Sequence, residues 1–482
     1  YCSYLLTDGG CDGVAPIGTT GEGASISIED RLSVPKSLFD AGIPCDRVIL
    51  GTGNSSTPDA ASISKAALDY GYVNQLVLPP FYYKSVSDDG LYDYFSFMIE
   101  KTDVVIFGAT GFTGKLVVEY ALSRYSGSEI SWAIAGRSDK KLNDLKEKLK
   151  IPEDIGIINV DSNDESSAHN LVNQAKCVLT TVGPYQLYGE KIIRACISSG
   201  TDYVDLCGEP AWMSKIISEY SNDAKYSGSR IIFSCGFDSI PFDLGVLFLQ
   251  EKVKSKINKY AKEVSSRIRT MDGEFSGGTA ASMKATISSL KTNPELLNVL
   301  INPYALCDGF EGIKQKDDSK VQYDENLQTW IAPFFMAPIN TKNIHRTNKL
   351  MNHKYGKDFL YNEMWVQGSG EEGKAAAKDI SSTNPLSNAP EPGEGPSRYK
   401  REKGSYDILF YTKVDGHIFK VSVSGDMDPG YGSTSKMIFE SALCLVTESK
   451  DLTGGIYTPA ASMGFKLMNR LEKNAGLTFK VE

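Results

Sequence analysis

The sequence predicts an α/β chain with a doubly wound parallel sheet and a second, α+β domain. Short apolar runs alternate with helical segments between residues 103 and 250, and a glycine-rich turn directly follows the first run. Longer alternating segments at 406–411 and 417–424 flank the turn 414–416, which is typical of an antiparallel hairpin. The two patterns together indicate two layers of different architecture.

Composition favours a protein that acts on a small molecule. The 482 residues are 41% hydrophobic and 23% charged, and the net charge of −9 argues against binding to nucleic acid or to an anionic membrane surface. The apolar stretch 231–250 contains Asp238, Asp243 and Pro241, so it does not predict a transmembrane segment. We expect a cytoplasmic protein, and a homo-oligomer is compatible with the sequence.

The cysteines and histidines do not form a recognisable metal site. Nine cysteines include no C-x-x-C pair and lie mostly in apolar runs, which indicates reduced thiols rather than a disulfide framework. The four histidines have no metal-ligand spacing, so no metal is predicted.

The strand and loop pattern can be followed along the chain. The first hundred residues already alternate strands with helices, in a pattern typical of βαβ units. Six later apolar segments predict the strands of the parallel sheet, at 103–107, 130–135, 157–160, 177–182, 203–206 and 230–234. Residues 371–403 are rich in Gly, Pro, Ser and charge, and they predict a long loop.

The glycine turn predicts a dinucleotide site of the Rossmann type. It runs from a buried strand into a helix, as a phosphate-binding turn requires. Its glycines allow backbone amides to approach a pyrophosphate closely. The predicted cofactor contacts are Gly108, Thr110, Gly111, Phe112, Thr113 and Gly114. The alternative is a turn that needs glycine only for packing.

The end of the second strand predicts which cofactor binds. An NAD site would place an acidic residue there, but this sequence has Arg137 and Ser138. A guanidinium can pair with a 2′-phosphate, so NADP(H) is favoured over an Arg that merely follows a strand.

Three further strand ends supply candidates for the reaction. Val182, Gly183 and Pro184 are predicted beside the nicotinamide, with Tyr185 as an acid or simply as a packed aromatic. Asp205 and Glu209 follow another strand and could relay protons or cap the next helix.

A third carboxyl, Asp238, lies in an apolar stretch after the last predicted strand. We expect it to cap the helix that begins near Pro241 rather than to act in catalysis.

These motifs resemble the saccharopine dehydrogenase-like oxidoreductases, and within them the trans-acting enoyl reductase branch. The ordered matches continue through 275–279, 302–304, 330–341, 392–396, 425–432, 455–460 and 475–479. The resemblance implies an NADP-dependent enzyme that reduces a C=C bond of an acyl or polyketide-like substrate. Saccharopine-type C=N reduction is the alternative, with Arg267, Arg269, Arg346 and Lys349 as loose candidates for carboxylate clamps. A cofactor-binding protein without turnover also stays open.

The first hundred residues resemble a different family, the dihydrodipicolinate synthase and N-acetylneuraminate lyase aldolases. The matching segments are 18–22, 51–53 and 79–84, so the resemblance implies an incomplete TIM-barrel fragment with Thr19, Thr20 and Tyr82 as vestigial site residues. The Schiff-base lysine of that family belongs further along the barrel, where this chain already has its glycine turn. We therefore expect no lyase activity.

The predicted domains are a barrel fragment at 1–97, an NADP-binding domain at 98–250 and a substrate or dimerisation domain at 251–482. Met98 stands where a free-standing reductase of this kind would begin. Whether the preceding segment is a real fusion or an artefact of gene prediction stays open.

Overall fold

The fold is described from a computed structural model of the chain. The structure describes residues 2–18, 20–80, 82–88, 90–91, 94–95, 101–274, 277–383, 390 and 393–482. The chain divides into two compact units, Tyr1–Lys101 and Thr102–Glu482.

The N-terminal unit is small and has little sheet. Its strands β1 (Leu50–Gly51) and β2 (Gln75–Leu76) pair in parallel. Helices occupy Cys2–Thr7, Ile28–Asp40 and Thr57–Asp69. A compact apolar cluster fills its centre, formed by Ile17, Leu38, Ile43, Val48, Leu50, Ala67 and Tyr72.

The second unit contains the predicted parallel sheet, with one strand more than expected. The six predicted strands are present as β3 (Thr102–Phe107), β4 (Trp132–Gly136), β5 (Gly156–Asn159), β6 (Ala175–Thr180), β7 (Asp202–Val204) and β8 (Arg230–Ile232). A seventh, β15 (Gly455–Tyr457), pairs with β8 in parallel, giving the order β15-β8-β7-β6-β3-β4-β5. A strand from the C-terminal region thus completes this sheet, so a domain boundary at residue 250 does not separate the two parts of the unit.

Helices cover both faces of this sheet, which is why its strands are nearly continuous apolar runs. Along β3, Val104 and Ile106 belong to the core on one face, while Val105 and Phe107 belong to the core on the other. The helices of the unit are Phe112–Tyr125, Asp139–Leu149, Glu165–Asn173, Tyr185–Tyr188, Glu190–Ser198, Pro210–Ser227, Ile240–Ile257, Gly277–Thr292, Leu296–Ile301, Ala337–Leu350, Gly370–Ser382, Arg398–Lys403, Thr434–Leu443, Pro459–Ser462 and Gly464–Asn474.

The second sheet is mixed, as an α+β domain implies. Its strands are β9 (Glu263–Asp272), β10 (Gln322–Asp324), β11 (Thr329–Pro333), β12 (Leu360–Gly368), β13 (Ser405–Val414), β14 (His417–Gly425) and β16 (Leu477–Val481), in the order β10-β11-β12-β9-β13-β14-β16. The predicted hairpin is confirmed: β13 and β14 are antiparallel, and Val414 pairs with His417 across a two-residue turn. Asp415 and Gly416 both have positive φ, as such a tight turn requires.

The expected loop at 371–403 is wrong in part. Residues Gly370–Ser382 form a helix, and Arg398–Lys403 form another. Gly373 and Ala377 are the buried positions of the first helix, and the Lys374 ammonium lies 5.2 Å from the centre of the Trp330 ring on β11. Small residues at this spacing let the helix lie close to the sheet. The loop was predicted from the high content of small and charged residues, which this helix also contains.

Two global features concern the chain's environment. All nine cysteines are free, and six of them are buried. Within the described ranges, no helix is both long and apolar enough to cross a membrane.

Candidate cofactor and substrate site

The glycine turn closes on the end of the neighbouring strand. The amides of Gly108 and Ala109 donate to the carbonyl of Ala135 at 3.0 and 3.3 Å, and the Gly111 amide donates to the Gly108 carbonyl at 2.9 Å. The helix Phe112–Tyr125, named the phosphate helix from here on, then begins with Gly111 as its N-cap. Backbone hydrogen bonds therefore fix the shape of the turn.

Two of the three glycines are required by close contacts. Gly108 has φ +91°, and a Cβ there would lie 2.7 Å from Thr181 Oγ1. A Cβ on Gly114 would lie 2.1 Å from the Gly108 carbonyl oxygen, which no side chain tolerates. Close packing alone therefore explains why glycine stands at positions 108 and 114.

The open side of the turn suits a phosphate. Gly111 is exposed, and Thr110, Phe112 and Thr113 are partly exposed. Gly111 provides no side-chain cap, and the first amides of any helix have no acceptor within the helix. Together with the positive end of the helix dipole they form an anion cradle. These residues therefore fit the pyrophosphate of a dinucleotide.

Arg137 and Ser138 lie at the same sheet edge as the turn. They follow directly after β4, whose Ala135 carbonyl anchors Gly108. Arg137 is exposed, whereas the Ser138 hydroxyl oxygen accepts from the Lys141 amide at 3.4 Å as the N-cap of the next helix. Arg137 is thus the freer of the two to meet a ligand.

The segment after β6 lies beside the turn. The Thr181 amide donates to the Phe107 carbonyl at 3.0 Å, and its hydroxyl donates to the Gly108 carbonyl at 3.4 Å. Gly183 is exposed, while Val182 and Pro184 are partly buried. The predicted cofactor residues of β3, β4 and β6 are therefore brought together at one edge.

Tyr185 has a structural environment. Its ring is buried and stacks on Trp212, and its hydroxyl donates to the Thr180 carbonyl and accepts from the Leu206 amide. Burial raises the pKa of this hydroxyl well above its ordinary value. The contacts favour the packing alternative over a role as acid.

Asp205 also has a structural environment, because its carboxyl binds backbone amides. It is fully buried, and its carboxyl accepts from the Tyr203 hydroxyl and from the amides of Cys207 and Ser234. Burial raises its pKa to about 7. This carboxyl ties the ends of β7 and β8 together and makes no helix cap.

Glu209 joins the sheet edge to a helix that sequence reasoning did not connect with it. Its oxygens accept from the amides of Tyr185 and Gln186 at 2.9 and 2.8 Å and from the Ser282 hydroxyl at 2.6 Å. It therefore caps the short turn Tyr185–Tyr188, while its side chain makes no cap bond to the helix after it. Ser282 belongs to the helix Gly277–Thr292, named the covering helix from here on.

The covering helix contacts the same edge a second time. The Ser289 hydroxyl donates to Gln186 Oε1 at 2.8 Å, and the Gly277 amide donates to the Tyr431 hydroxyl at 3.2 Å. Gly277 begins the covering helix, and Ser276 lies outside the described residues. A run of Ser and Thr at helical spacing was the available signal.

Phe112 of the glycine turn is covered by the C-terminal region. Its ring packs edge-on against Tyr431 with 4.7 Å between centroids, and the Arg401 guanidinium lies 5.6 Å from its centre. Gly395 packs so closely on this ring that a Cβ there would lie 2.6 Å from it. In the sequence, the Gly and Pro residues at 393–396 were the feature that could have indicated this close packing.

Asp238 does not cap the following helix, contrary to expectation. Ser239 is the N-cap of Ile240–Ile257, and no side chain caps that end. The Oδ1 atom of Asp238 is buried without a hydrogen-bond partner among the described residues.

The vestigial aldolase residues do not form a site in the described part of the N-terminal unit. Thr20 is exposed, and Tyr82 is 79% exposed. Thr19 lies outside the described residues.

Known proteins match the two units differently. Residues 2–120 match the dihydrodipicolinate synthetase family, and residues 104–232 match the saccharopine dehydrogenase NADP binding domain. The first match therefore extends into the start of the parallel sheet. The second shows that the glycine turn belongs to a nicotinamide-cofactor domain.

Curated relatives extend over nearly the whole second unit. A putative trans-acting enoyl reductase of Mycobacterium tuberculosis is 35% identical over 399 residues, which cover 77% of this chain and 95% of the relative. A trans-acting enoyl reductase of Mycobacterium ulcerans is 30% identical over 400 residues with the same coverage. Among solved structures, saccharopine dehydrogenase (L-Glu forming) of Saccharomyces cerevisiae is 11% identical with a TM-score of 0.46, covering 79% of this chain and 99% of that one. Given the identity to relatives covered almost end to end, the chain belongs to the trans-acting enoyl reductase family of saccharopine dehydrogenase-like oxidoreductases.

Proposed function

We propose that the chain reduces the C=C bond of an enoyl group in an acyl substrate, with NADPH as the hydride source. The relatives named trans-acting enoyl reductase support the reaction class. The observation that carries the proposal is the meeting of the glycine turn, Arg137 and the Val182–Pro184 segment at one sheet edge.

Selection of NADPH over NADH rests on Arg137. It is exposed and follows the strand whose Ala135 carbonyl holds the glycine turn, which is where the adenosine ribose lies in a Rossmann domain. A guanidinium there pairs with the 2′-phosphate, and the chain has no acidic residue at positions 136–138 to accept the 2′-hydroxyl of NADH.

The chain's own residues bind and enclose the reactants. The amides that open the phosphate helix hold the pyrophosphate, and Gly183 leaves room for the nicotinamide ring beside β6. The covering helix, fixed by Ser282 and Ser289, limits access of water from above Gly183. When bound, the cofactor supplies the hydride, and the protein supplies orientation and a proton.

Saccharopine-type C=N reduction is disfavoured because its candidate clamps are already occupied. Arg267 pairs with Asp324, and Arg269 pairs with Asp407 and Glu482. Arg346 and Lys349 donate to main-chain carbonyls. These four cations already have partners within the chain, so they are not free to bind the carboxylates of such a substrate.

Cofactor titration and turnover test the proposal. We expect the full chain to bind NADPH at least tenfold more tightly than NADH and to oxidise NADPH when short-chain enoyl thioesters are added. Binding of neither cofactor would refute the proposal, and binding without turnover on any enoyl thioester would favour the cofactor-binding alternative. Pyruvate with an aldehyde serves as the control for lyase activity, and no condensation is expected.

A further inference from the structure

Asp238 lies at the same sheet edge as the proposed cofactor site. β8 ends at Ile232, and the loop 233–239 leads into the helix Ile240–Ile257. All strands of this sheet run in parallel, so their carboxyl ends share one edge. The loop that carries Asp238 therefore borders the crevice that also contains Gly183.

Asp238 differs from the other carboxyls of this edge in its hydrogen bonding. Asp205 and Glu209 each accept three hydrogen bonds, which explains why burial is tolerated. Asp238 Oδ1 is buried without a partner in the described part of the chain, although the residue as a whole is only partly buried. Burial raises the pKa of Asp238 to about 7. A carboxyl kept in this state costs stability, so a structural role does not explain it.

A second buried carboxyl is held by the same helix that contacts the Asp238 loop: Asn340 binds Glu363, and Asn343, one turn further along, binds Ser239. Glu363 on β12 is fully buried and accepts from the Tyr361 hydroxyl and from Asn340 Nδ2 at 2.8 Å. Burial raises its pKa to about 8, and the nearby charge of Asp238 adds to the rise. Two carboxyls in one buried environment share protons, because ionising both is costly.

The helix Ala337–Leu350 contacts the loop that carries Asp238. Asn343 Nδ2 donates to the hydroxyl oxygen of Ser239, which directly follows Asp238, at 2.7 Å and to that of Ser234 at 3.1 Å. The Oδ1 atoms of Asn340 and Asn343 are buried without partners among the described residues. These two amide oxygens and Asp238 Oδ1 are acceptors that lack a donor within the described ranges. A protonated carboxyl is a group that provides one.

We propose that Asp238 is the proton donor of the reduction and that Glu363 influences its protonation. This inference rests on the proposed function. Glu363 acts as a positioning residue, because it is fully buried while Asp238 remains partly exposed.

The proposed step balances in atoms and electrons. The β carbon of the enoyl group accepts the hydride with its electron pair, and the π electrons of the C=C bond move to the α carbon. The α carbon forms a C–H bond with the Asp238 proton, whose O–H electrons remain on the carboxylate. NADPH is oxidised to NADP⁺, the double bond is reduced, and water returns a proton to Asp238.

Asp238→Asn in the full chain tests the step, because it preserves shape and removes the proton. We expect kcat with an enoyl thioester to fall at least 100-fold, while KM and the Kd for NADPH change less than about threefold. The matched control is Asp243→Asn: Asp243 is also a buried carboxyl, but its oxygens have partners, because they accept from the Thr347 hydroxyl and the Ala460 amide. This control should retain kcat within about threefold. A kcat for Asp238→Asn within threefold of wild type would overturn the proposal.

Glu363→Gln tests the positioning role and remains informative if Asp238→Asn does not fold. Wild-type kcat should decline as pH rises and Asp238 loses its proton, and Glu363→Gln should move that decline to a different pH. The charged groups around Glu363 include Asp318, and Lys342 lies near Asp318. Asp318→Asn is therefore measured alongside and should move the profile less. An unchanged profile in Glu363→Gln would contradict the paired carboxyls.

A measurement without substrate separates this inference from the proposed function. If Asp238 is protonated in the folded chain, wild type loses stability as pH rises through its ionisation, whereas Asp238→Asn does not. The Tm of Asp238→Asn relative to wild type should therefore be higher at pH 8.5 than at pH 5. If no enoyl thioester is turned over, the proposed function fails, and the Tm comparison alone decides whether Asp238 holds a proton. Equal Tm differences at both pH values would overturn the inference.

Discussion

Arg137 is exposed at the sheet edge, while Asp205 and Glu209, which follow β7 at the same edge, are buried and hydrogen-bonded. Asp205 and Glu209 satisfy backbone amides that would otherwise be unpaired, so their contribution is mainly to hold loops in place. Ser138 caps a helix. The charge best placed to distinguish two cofactors is therefore that of Arg137.

Replacing Arg137 by Ala should weaken NADPH binding by about 1–3 kcal/mol and leave NADH binding nearly unchanged, because only NADPH carries the 2′-phosphate. Fluorescence titration of both cofactors measures the effect. Lys140→Ala, which removes an exposed cation one turn further along, is the control and should affect neither. Equal weakening of both cofactors would show that Arg137 does not contact the 2′-phosphate.

At the scale of elements, the phosphate helix is fixed from its far end by a buried carboxylate. Glu440 on the helix Thr434–Leu443 accepts from the hydroxyls of Tyr120 and Tyr125 and from Arg470 Nε at 2.6 Å. Glu440 is fully buried and thus depends on these donors. This network connects the glycine-turn helix to two C-terminal helices.

Replacing Glu440 by Ala should lower the free energy of unfolding by about 3–5 kcal/mol, because it removes a buried acceptor shared by Arg470, Tyr120 and Tyr125 and leaves Arg470 with only its partly exposed carboxylate partner Glu448 among the described residues. Urea unfolding of the full chain measures the loss. Asp144→Ala, which breaks the exposed pair with Lys140, should cost about 1 kcal/mol or less. Similar losses in the two variants would contradict the argument.

At the scale of the whole molecule, the chain divides after residue 101 into two units, and the C-terminal region of the second unit completes that unit. β15 completes the parallel sheet, and Gly395, Arg401 and Tyr431 pack on Phe112 of the glycine turn. The region from 251 onward therefore contributes to the cofactor domain as well as to the second sheet. We infer that it is required for the first sheet to be stable.

A chain that begins at Met98 should bind NADPH with a Kd within about threefold of the full chain, because the cofactor residues all lie in the second unit. A chain of residues 98–250 should fail to fold, because it lacks β15 and the helices that cover the sheet. Circular dichroism and NADPH titration of both truncations provide the measurement. Loss of binding in the longer truncation would mean that the N-terminal unit is needed.

The stability of the chain should decrease as pH rises from 5 to 8.5. Burial raises the pKa to about 7 for Asp205, Asp238 and Asp243, and to about 8 for Glu363. Each folded pKa lies above the unfolded value. The contribution of these protonated carboxyls to the free energy of unfolding is therefore fully present below about pH 4 and is lost as pH rises through 7 to 8. We expect the free energy of unfolding in urea to fall by more than about 1 kcal/mol over this range. A constant or rising value would show that these carboxyls ionise normally in the folded chain.

Much of the parallel sheet and its glycine turn could be predicted from the sequence, because both depend on local chemistry. A strand buried on both faces must be apolar throughout, and a turn with positive φ at Gly108 and close contact at Gly114 admits little besides glycine. Arg137 follows its strand directly, so its place at the sheet edge also follows from the order of the chain. The hairpin at Asp415 and Gly416 was predictable for the same reason.

What the sequence determined by itself was the parallel sheet and the backbone of its phosphate turn; what only the tertiary structure decided was the chemistry around them. β15 follows β8 by more than two hundred residues in the chain but pairs with it in the sheet, and no local pattern specifies that pairing. Glu209 acquires Ser282, and Ser239 beside Asp238 acquires Asn343, through contacts between segments far apart in the chain. Whether a carboxyl caps a turn or retains a proton depends on the donors that folding brings to it, which is why those roles could not be predicted from spacing.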